Sequence, residues 1–432
     1  MSQRSYRDPL HNIISLDESR PEDRLIVELI DSAEFQRLRR IRQLGLAMFT
    51  YQGAEHSRFT HSLGVMHLMT RALGQLSVRH KIDRSLLLAG RAGALLHDLG
   101  HGPFSHLIEK VFAFKHEDWT RRIILDESTE VNRLLTGYDQ ALPLRIASLY
   151  DHSFRPAFVS QLVSSQLDCD RMDYLLRDSL MTGVKYGIYD LEWILHTLRI
   201  DEDLDQVYVE HKGLHAVEEY LQARYYMFRQ VYFHRALRSA EAVLVSTLTR
   251  ARELISQGRT TLAIPGSAFE KMLVGEQVTT REYVQLDDTD LFFNLKQWTT
   301  DSDPVLSDLA GRLVNRRLFK AVDLDMPDED IGPFLDEASR EVAAAGFDPR
   351  YYLIPDRASD IPFYGYYVPA KGLPDGLIYV EENGTNHTLR EISEVSELVR
   401  GMRAYRIERV CFPMEVAGQI NRVLAEHAAR PA

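Results

Sequence analysis

The feature that most constrains this chain is an adjacent histidine and aspartate, His97 and Asp98, at the end of an apolar helical segment. Gly100, Gly102 and Pro103 follow, and these residue types must stop the helix there. Neutral imidazole and carboxylate are both common ligands of divalent metals. Because the chain contains 16 histidines and many aspartates, about one such pair is expected by chance. Other ligands must therefore support the pair before it indicates a metal site.

Length and composition limit the class of protein. The chain of 432 residues is long enough for two or three packed units, and its 45% hydrophobic and 26% charged residues are ordinary for a globular protein. A net charge of −12 argues against extensive nucleic-acid binding. Two cysteines, Cys169 and Cys411, cannot form a disulfide scaffold. With no apolar leader and no membrane-length apolar stretch, we expect a cytoplasmic protein that does not bind membranes.

The N-terminal region is predicted to be mostly helical. We expect a turn and a short strand over residues 6–14 and a helix that begins at Pro21. Asp31 or Ser32 would cap a second helix that extends to about residue 42. Four arginines between positions 37 and 42 make this second helix strongly basic. They fit either a solvated amphipathic face or a set of phosphate ligands.

The next two predicted helices carry the histidines towards the interior. On the first, which ends near residue 71, His61 and His67 point about 120° apart, so at most one of them faces a common site. The second, over residues 83–96, is rich in leucine and alanine and delivers the His-Asp pair into the core. Pro103 is expected to start the helix that follows, in its favoured first-turn position.

A second conspicuous segment, residues 164–178, interleaves four aspartates and two arginines with apolar side chains. On a helix, Asp170, then Asp173 or Tyr174, then Asp178 lie near one stripe. Such a cluster of carboxylates costs stability unless something cationic compensates the charge. This segment is therefore expected to face a cation.

The predicted secondary structure changes near residue 260. Before this point, residues 207–214 are predicted to form a hairpin tip and residues 216–256 a single long helix. Beyond it, candidate strands lie at residues 318–322, 351–354, 377–380 and 407–412, and longer helices at 331–345 and 415–428. This alternation predicts an α+β lobe, with a boundary between residues 257 and 286.

Taken together, His61, the His97–Asp98 pair and Asp170 give the order His, His-Asp, Asp on three predicted helical segments. With these residues the sequence resembles the HD-domain phosphohydrolases, and within them the dNTP triphosphohydrolase branch. The stretches that carry the resemblance are residues 8–11, 35–39, 43–45, 58–65, 97–106 and 168–174. So many stretches matched in order are highly specific. The resemblance implies a mainly α fold, with an all-helical HD-domain core at 1–260 and a C-terminal α+β lobe at 261–432.

The resemblance also implies a metal site and a reaction. The implied metal ligands are His61, His97, Asp98 and Asp170. This nitrogen and oxygen set suits Mn²⁺, Fe²⁺, Mg²⁺ or Zn²⁺. In the family, metal-activated water attacks the α-phosphorus of a dNTP and releases deoxynucleoside and inorganic triphosphate. His106 and His116 match additional catalytic histidines, one of which can protonate the departing 5′ oxygen, and His101 would lie beside them.

Further positions match the substrate contacts of the family. These positions are Gln43, Leu44, Arg58, Arg171, Tyr174, Asp178, Arg224 and Tyr232. The three arginines would bind phosphates, Tyr174 and Asp178 the 3′-hydroxyl, and Tyr232 would lie near the base. Gln43 and Leu44 would pack on the deoxyribose, where a 2′-hydroxyl would clash.

A possible activating nucleotide is the last implied ligand. Asp31, Gln36 and Arg39 match residues that bind an activating guanine nucleotide between subunits, although residues 4–7 depart from that pattern. The family also implies a homo-oligomer, a dimer or a tetramer.

Two other interpretations remain open. The chain could be another HD phosphohydrolase, acting on nucleoside monophosphates, cyclic nucleotides or guanosine tetraphosphate. Alternatively, it could be a catalytically weak module that senses nucleotides or binds nucleic acid. The product of hydrolysis distinguishes the first interpretation from a dNTP triphosphohydrolase. A His97→Ala variant distinguishes the second, because an enzyme should lose turnover while its fold is retained, whereas a binding module should keep its binding.

Overall fold

The computed structural model describes residues 3–112, 114–259, 264–360, 377–382 and 388–428. Over these residues the helices are α1 Pro21–Asp31, α2 Ala33–Arg37, α3 Arg58–Leu76, α4 Arg84–Leu96, α5 His106–Phe112, α6 His116–Leu125, α7 Glu130–Tyr138, α8 Leu142–Tyr150, α9 Ala157–Val163, α10 Cys169–Thr182, α11 Leu191–Thr197, α12 Leu214–Met227, α13 Arg235–Ser256, α14 Ala268–Val274, α15 Thr280–Tyr283, α16 Asp288–Trp298, α17 Pro304–Val314, α18 Asp328–Ala344, α19 Pro349–Tyr352, α20 Ile392–Val395, α21 Glu397–Gly401 and α22 Ala417–Ala428. The strands are β1 Gln3–Asp8, β2 Asn12–Asp17, β3 Leu198–Asp201, β4 Gln206–Val209, β5 Lys320–Asp323, β6 Ile354–Asp360, β7 Tyr379–Glu381, β8 Leu389–Glu391 and β9 Tyr405–Phe412. The predicted mainly α fold is confirmed.

The centre of the molecule is the packing of α3 against α4 and α10. Helix α4 begins where the Asp83 side chain accepts a hydrogen bond from the Leu86 amide, and α10 begins in the same way at Asp168. The inward face of α4 is apolar, whereas those of α3 and α10 also bury polar side chains, among them His61, Asp173 and Arg177. The three helices therefore fix the ends from which His61, His97 and Asp170 project.

The strands of the described residues form three small sheets. The β1–β2 hairpin is antiparallel, and the others have the orders β3-β4-β7-β8 and β5-β9-β6. Strand β7, from beyond residue 260, pairs in parallel with β4, from before it. One buried apolar cluster also includes residues from both segments, for example Leu96 and Phe412. The strand-containing C-terminal part agrees with the expected α+β lobe, while the division at residue 260 stays a prediction.

The helix predicted to start at Pro103 begins three residues later, at His106. Phe104 and Ser105 have left-handed backbone angles, with φ of 51° and 54°. These angles form a tight turn, in which the Phe104 amide donates to Asp288 at 2.9 Å and the Ser105 amide to Gly102. Pairing with residues distant in sequence therefore overrides the preference of proline for the first helical turn.

Three other predicted elements were wrong in extent. The long helix over 216–256 is interrupted by a π-helical turn at Phe228–Tyr232, and α13 restarts where His234 caps it. The hairpin turn lies at residues 202–205, so 207–209 are strand and not the tip. The basic helix is α-helical only to Arg37 and 3-10 helical over Leu38–Arg40, after which the chain pairs with residues 56–58 through the Gln43 and Arg58 amides.

Two smaller details complete the fold. Residues 351 and 352 end the short helix α19, so the strand predicted over 351–354 begins only at Ile354.

In the part of the chain that the structure describes, no helix has the length and apolar composition needed to cross a membrane.

Candidate active site

His61 and His97 meet at the centre of the α3, α4 and α10 assembly, with ring centroids 5.2 Å apart. Each ring donates its Nδ1 proton to a fixed acceptor. His61 Nδ1 lies 2.8 Å from Asp173 Oδ2, and His97 Nδ1 lies 2.8 Å from the carbonyl oxygen of Ala94. In the neutral rings both Nε2 atoms are thereby left as lone-pair donors to a cation, and they face the same space.

Two carboxylates complete this cluster. Asp170 Oδ1 lies 2.9 Å from His61 Nε2 and 3.6 Å from His97 Nε2, and Asp98 Oδ1 lies 3.2 Å from His97 Nε2. Arg58 binds the other Asp98 oxygen at 2.6 Å. Although burial opposes ionisation, Arg58 and the neighbouring imidazoles hold the pKa of Asp98 well below its usual range.

The donor set fits a divalent metal. Lone pairs of Nε2 and carboxylate oxygens repel one another unless a proton or a cation lies between them. Burial alone would lower the pKa of His61, yet Asp170 and Asp173 outweigh it and raise this pKa to about 10. His97 Nε2 has no hydrogen-bond partner among the described residues, although it is buried. His61, His97 and Asp170 therefore form a group that could hold a metal ion, and Asp98 lies beside it.

A second group, Asp98, His101 and His116, adjoins the first. The His101 and His116 rings are stacked, with centroids 3.8 Å apart, and Glu109 Oε1 lies 3.3 Å and 3.0 Å from their Nδ1 atoms. Burial, Arg58 and His116 lower the pKa of His101 to about 3, so this ring is neutral at pH 7. The side chain of His106 lies outside the described part of the chain, so its predicted catalytic role stays a prediction.

The metal-ligand cluster opens into a cavity of about 460 Å³, a size typical of small-molecule sites. The predicted substrate residues that line it are Gln43, Leu44, Arg58, Arg171, Tyr174, Asp178 and Tyr232. Arg224 is not among the lining residues of the described chain; its guanidinium lies 5.7 Å from the ring centroid of Phe228, which does line the cavity. The structure thus brings most of the predicted substrate contacts to one cavity beside the candidate metal site.

Comparisons with known proteins agree with this geometry. The HD-domain family model matches residues 58–178. The uncharacterized protein YwfO of Bacillus subtilis is 41% identical over 405 residues, or 93% of this chain and 90% of that protein. A phosphohydrolase of Bacteroides thetaiotaomicron has a crystal structure with a TM-score of 0.77 at 29% identity, covering 95% of this chain and 100% of that one. The chain belongs to the HD-domain phosphohydrolases.

More distant relatives of this HD-domain phosphohydrolase carry a specific activity in their names. The deoxynucleoside triphosphate triphosphohydrolase SAMHD1 homolog of Dictyostelium discoideum is 28% identical over 321 residues, which cover 69% of this chain and 57% of that protein. The SAMHD1 of Bos taurus is 26% identical over 363 residues, 74% of this chain and 58% of that protein.

Two cavity residues of the phosphohydrolase are already engaged by neighbours. Asp178 accepts a hydrogen bond from the Tyr232 hydroxyl at 2.8 Å, and its other oxygen lies 2.8 Å from His56 Nε2. Arg171 forms a buried ion pair with Asp168, the N-cap of its own helix. These partners fix the side chains in place before any ligand arrives.

The predicted activator residues lie at the end of α1, in α2 and just after α2. Arg39 Nε donates to Gln36 Oε1 at 2.8 Å, and its guanidinium lies 3.5 Å from the ring centroid of Phe59. Asp31 is exposed and pairs with Arg4 at 3.2 Å. The structure thus joins Gln36 with Arg39 and pairs Asp31 elsewhere, and their binding of a nucleotide stays a prediction.

The sequence analysis assigned no role to several residues that support the site. Glu109 joins the two stacked histidines, and Asp173 holds His61 together with His11. Asp173 and His11 lie inside stretches that carry the family resemblance, so their presence there was a usable signal. The contact of Asp288 with the Phe104 amide spans 184 residues and left no local signal.

Proposed function

We propose that this HD-domain phosphohydrolase is a metal-dependent dNTP triphosphohydrolase, which converts a dNTP to a deoxynucleoside and inorganic triphosphate. The observation that carries this proposal is the position of the His61, His97, Asp98 and Asp170 cluster at the end of a nucleotide-sized cavity with cationic and aromatic walls. Relatives that are named dNTP triphosphohydrolases support it.

The hydrolysed bond joins the α-phosphorus to the 5′ oxygen. Water adds to phosphorus, and the departing 5′ oxygen takes up a proton. His61, His97, Asp98 and Asp170 would hold a divalent cation, which would supply the Lewis acidity that offsets phosphate charge and makes water more acidic. Arg58 keeps Asp98 ionised and in place. His116, whose Nδ1 is held by Glu109, would deliver the proton to the leaving group, and the neutral His101 ring stacked on it would keep its ring oriented.

Selection of deoxyribose would depend on other residues that line the cavity. Gln43 and Leu44 are among them and would leave no room for a 2′-hydroxyl, while Tyr174 and Asp178 would hold the 3′-hydroxyl. Because Asp178 is already bound by His56 and Tyr232, its carboxylate is positioned before the sugar arrives.

Product identity tests the proposal directly. Protein loaded with Mn²⁺, Mg²⁺ or Fe²⁺ is incubated with each dNTP, with and without GTP, and the products are separated by ion exchange. We expect triphosphate and deoxynucleoside, and loss of turnover in a folded His97→Ala variant. Phosphate, pyrophosphate or a linear nucleotide from the corresponding substrates would indicate another HD phosphohydrolase. No product under any of these conditions would refute the proposal.

A guanine nucleotide bound near Asp31, Gln36 and Arg39 would activate the enzyme, and a homo-oligomer would create that site between subunits. If so, GTP should raise both the rate and the mass measured by light scattering, and Arg39→Ala should remove both responses. An unchanged response in this variant would exclude these residues as the activator site.

A further inference from the structure

Behind the candidate metal ligands lies a fully buried carboxylate, that of Asp173. One oxygen accepts from His61 Nδ1 at 2.8 Å, and the other lies 2.7 Å from His11 Nε2. Arg177 binds both oxygens, at 2.7 Å and 3.0 Å. No solvent reaches the Asp173 or Arg177 side chains, so these contacts replace hydration completely.

These contacts decide which nitrogen of His61 carries its proton. A carboxylate paired in this two-pronged way with a guanidinium is ionised and can only accept hydrogen bonds. His61 Nδ1, 2.8 Å away, must therefore be the protonated nitrogen. In the neutral ring that binds a cation, the lone pair is then on Nε2, the atom that faces Asp170 and Asp98.

The carboxylate is itself fixed by the turn of the N-terminal hairpin. Asp8 accepts from Arg177 Nη1 at 2.8 Å and also from the Leu10 and His11 amides. The turn therefore carries two residues of this network: His11, which contacts Asp173, and Asp8, which is the second carboxylate bound by Arg177. Through these contacts the hairpin binds residues of α10 that lie 162 to 169 positions away in sequence.

A glycine of α3 makes room for this arrangement. A Cβ atom on Gly64 would lie 2.0 Å from Asp173 Oδ1 and 2.4 Å from Arg177 Nη2. Any other residue at this position would displace the carboxylate from beneath the helix that carries His61. The sequence thus keeps open the space that Asp173 occupies.

We propose that Asp173 is a positioning residue for the metal: it holds the His61 tautomer whose Nε2 faces the cation, and the N-terminal hairpin holds Asp173 through His11 and Asp8. This inference rests on the metal site of the proposed function but not on which substrate is hydrolysed.

Metal affinity tests it without reference to turnover. Calorimetric titration of the full, chelator-treated chain with Mn²⁺ gives the dissociation constant. Asp173→Asn should raise this constant about 10- to 100-fold, as expected when a partner of a metal-binding histidine is lost. His11→Phe keeps a ring against His67 but removes one hydrogen bond to Asp173, and should raise the constant about 2- to 10-fold.

Gly64→Ala removes no polar atom and tests position alone. Its methyl group must push Asp173 aside, so Mn²⁺ binding should weaken here too. The spectrum of bound Co²⁺ provides a second measurement, because a shifted His61 changes the ligand field. If Asp173→Asn does not fold, His11→Phe and Gly64→Ala carry the test.

The matched control is Asp303→Asn, which also removes a carboxylate from an ion pair with an arginine, the part-buried Arg250, and which lies far from the metal ligands in sequence. It should lower stability and leave the Mn²⁺ constant and the Co²⁺ spectrum unchanged. The inference is overturned if the wild type binds no divalent cation, or if the folded His11 and Gly64 variants bind Mn²⁺ like the control. Mn²⁺ binding with the expected losses, but without dNTP hydrolysis, would refute the proposed function and leave this inference standing.

Discussion

The most stringent test of the active-site geometry is Gly100→Ala, in the loop that joins the His97–Asp98 pair to α5. A Cβ atom at Gly100 would lie 1.9 Å from the carbonyl oxygen of His116 and 2.4 Å from the Thr120 amide nitrogen. Both are backbone atoms of α6, so no side-chain rotation can relieve the overlap. Since carbon and oxygen normally approach to about 3.4 Å, the loop and α6 must separate by about 1.5 Å.

This displacement affects two parts of the site at once, because the loop begins at the candidate metal ligands His97 and Asp98 and α6 begins with His116. A misplacement of about 1 Å can cost about 100-fold in rate, so we expect kcat to fall by at least that factor. Overpacking of the core should lower the free energy of unfolding by about 1–3 kcal/mol. Triphosphate release at saturating Mn²⁺ and urea unfolding measure the two effects.

Gly102→Ala is the matched control in the same loop. Its Cβ atom would meet the Tyr283 hydroxyl at 3.3 Å, a contact that a small shift relieves. Activity should stay within a few-fold of the wild type. The geometric reasoning is refuted if Gly100→Ala keeps wild-type kcat and Mn²⁺ affinity, or if both alanine variants lose activity equally.

Three further predictions address the metal, selectivity and pH. Chelation should abolish hydrolysis, and Mn²⁺ at 100 times its dissociation constant should add about 2.7 kcal/mol to the free energy of unfolding; an unchanged melting curve would contradict this. Leu44→Ala should reduce the preference for dGTP over GTP, measured as the ratio of kcat/KM, by about 10-fold or more. Burial, partly offset by the Phe104 and Arg42 amides, raises the pKa of Asp288 to about 6 from the ordinary 3.8. The folded chain then holds a proton that the unfolded chain has lost, so stability should fall as pH rises through this interval. Asp288→Asn should flatten that slope in urea unfolding, and an unchanged slope would exclude Asp288 as its source.

Local sequence signals predicted where most helices lie but not where the chain departs from them. Asp83 and Asp168 cap α4 and α10 as short-range chemistry dictates. The break at Phe228–Tyr232 and the turn at Phe104 have no such signal. At Phe104 the amide pairs with Asp288, a contact that a sequence window does not contain.

The same distinction applies to the site. The order of His61, the His-Asp pair and Asp170 predicted the cluster, and the helical phase argument correctly separated His61 from His67, which contacts His11 instead. The acidic stripe left Asp173 and Tyr174 as alternatives. In the structure both residues contribute to the site: the buried Asp173 accepts a hydrogen bond from His61, and Tyr174 lines the cavity. Residue spacing shows which side chains share a helix face, but not what lies behind each one.

The shape of the active-site loop depends on both halves of the chain. Arg37, which is wholly buried, donates to the carbonyl oxygens of Leu99 and His101, and the Tyr283 hydroxyl donates to that of Gly100 between them. Arg37 also binds the Leu286 carbonyl at 2.7 Å, which ties its guanidinium to the segment beyond residue 260. Burial of this charge is costly unless carbonyl dipoles surround it, so the loop and the later segment stabilise Arg37 jointly. The candidate metal ligands at the start of the loop are thus held by residues that would fall in the other predicted unit, and geometry precise enough for catalysis requires both.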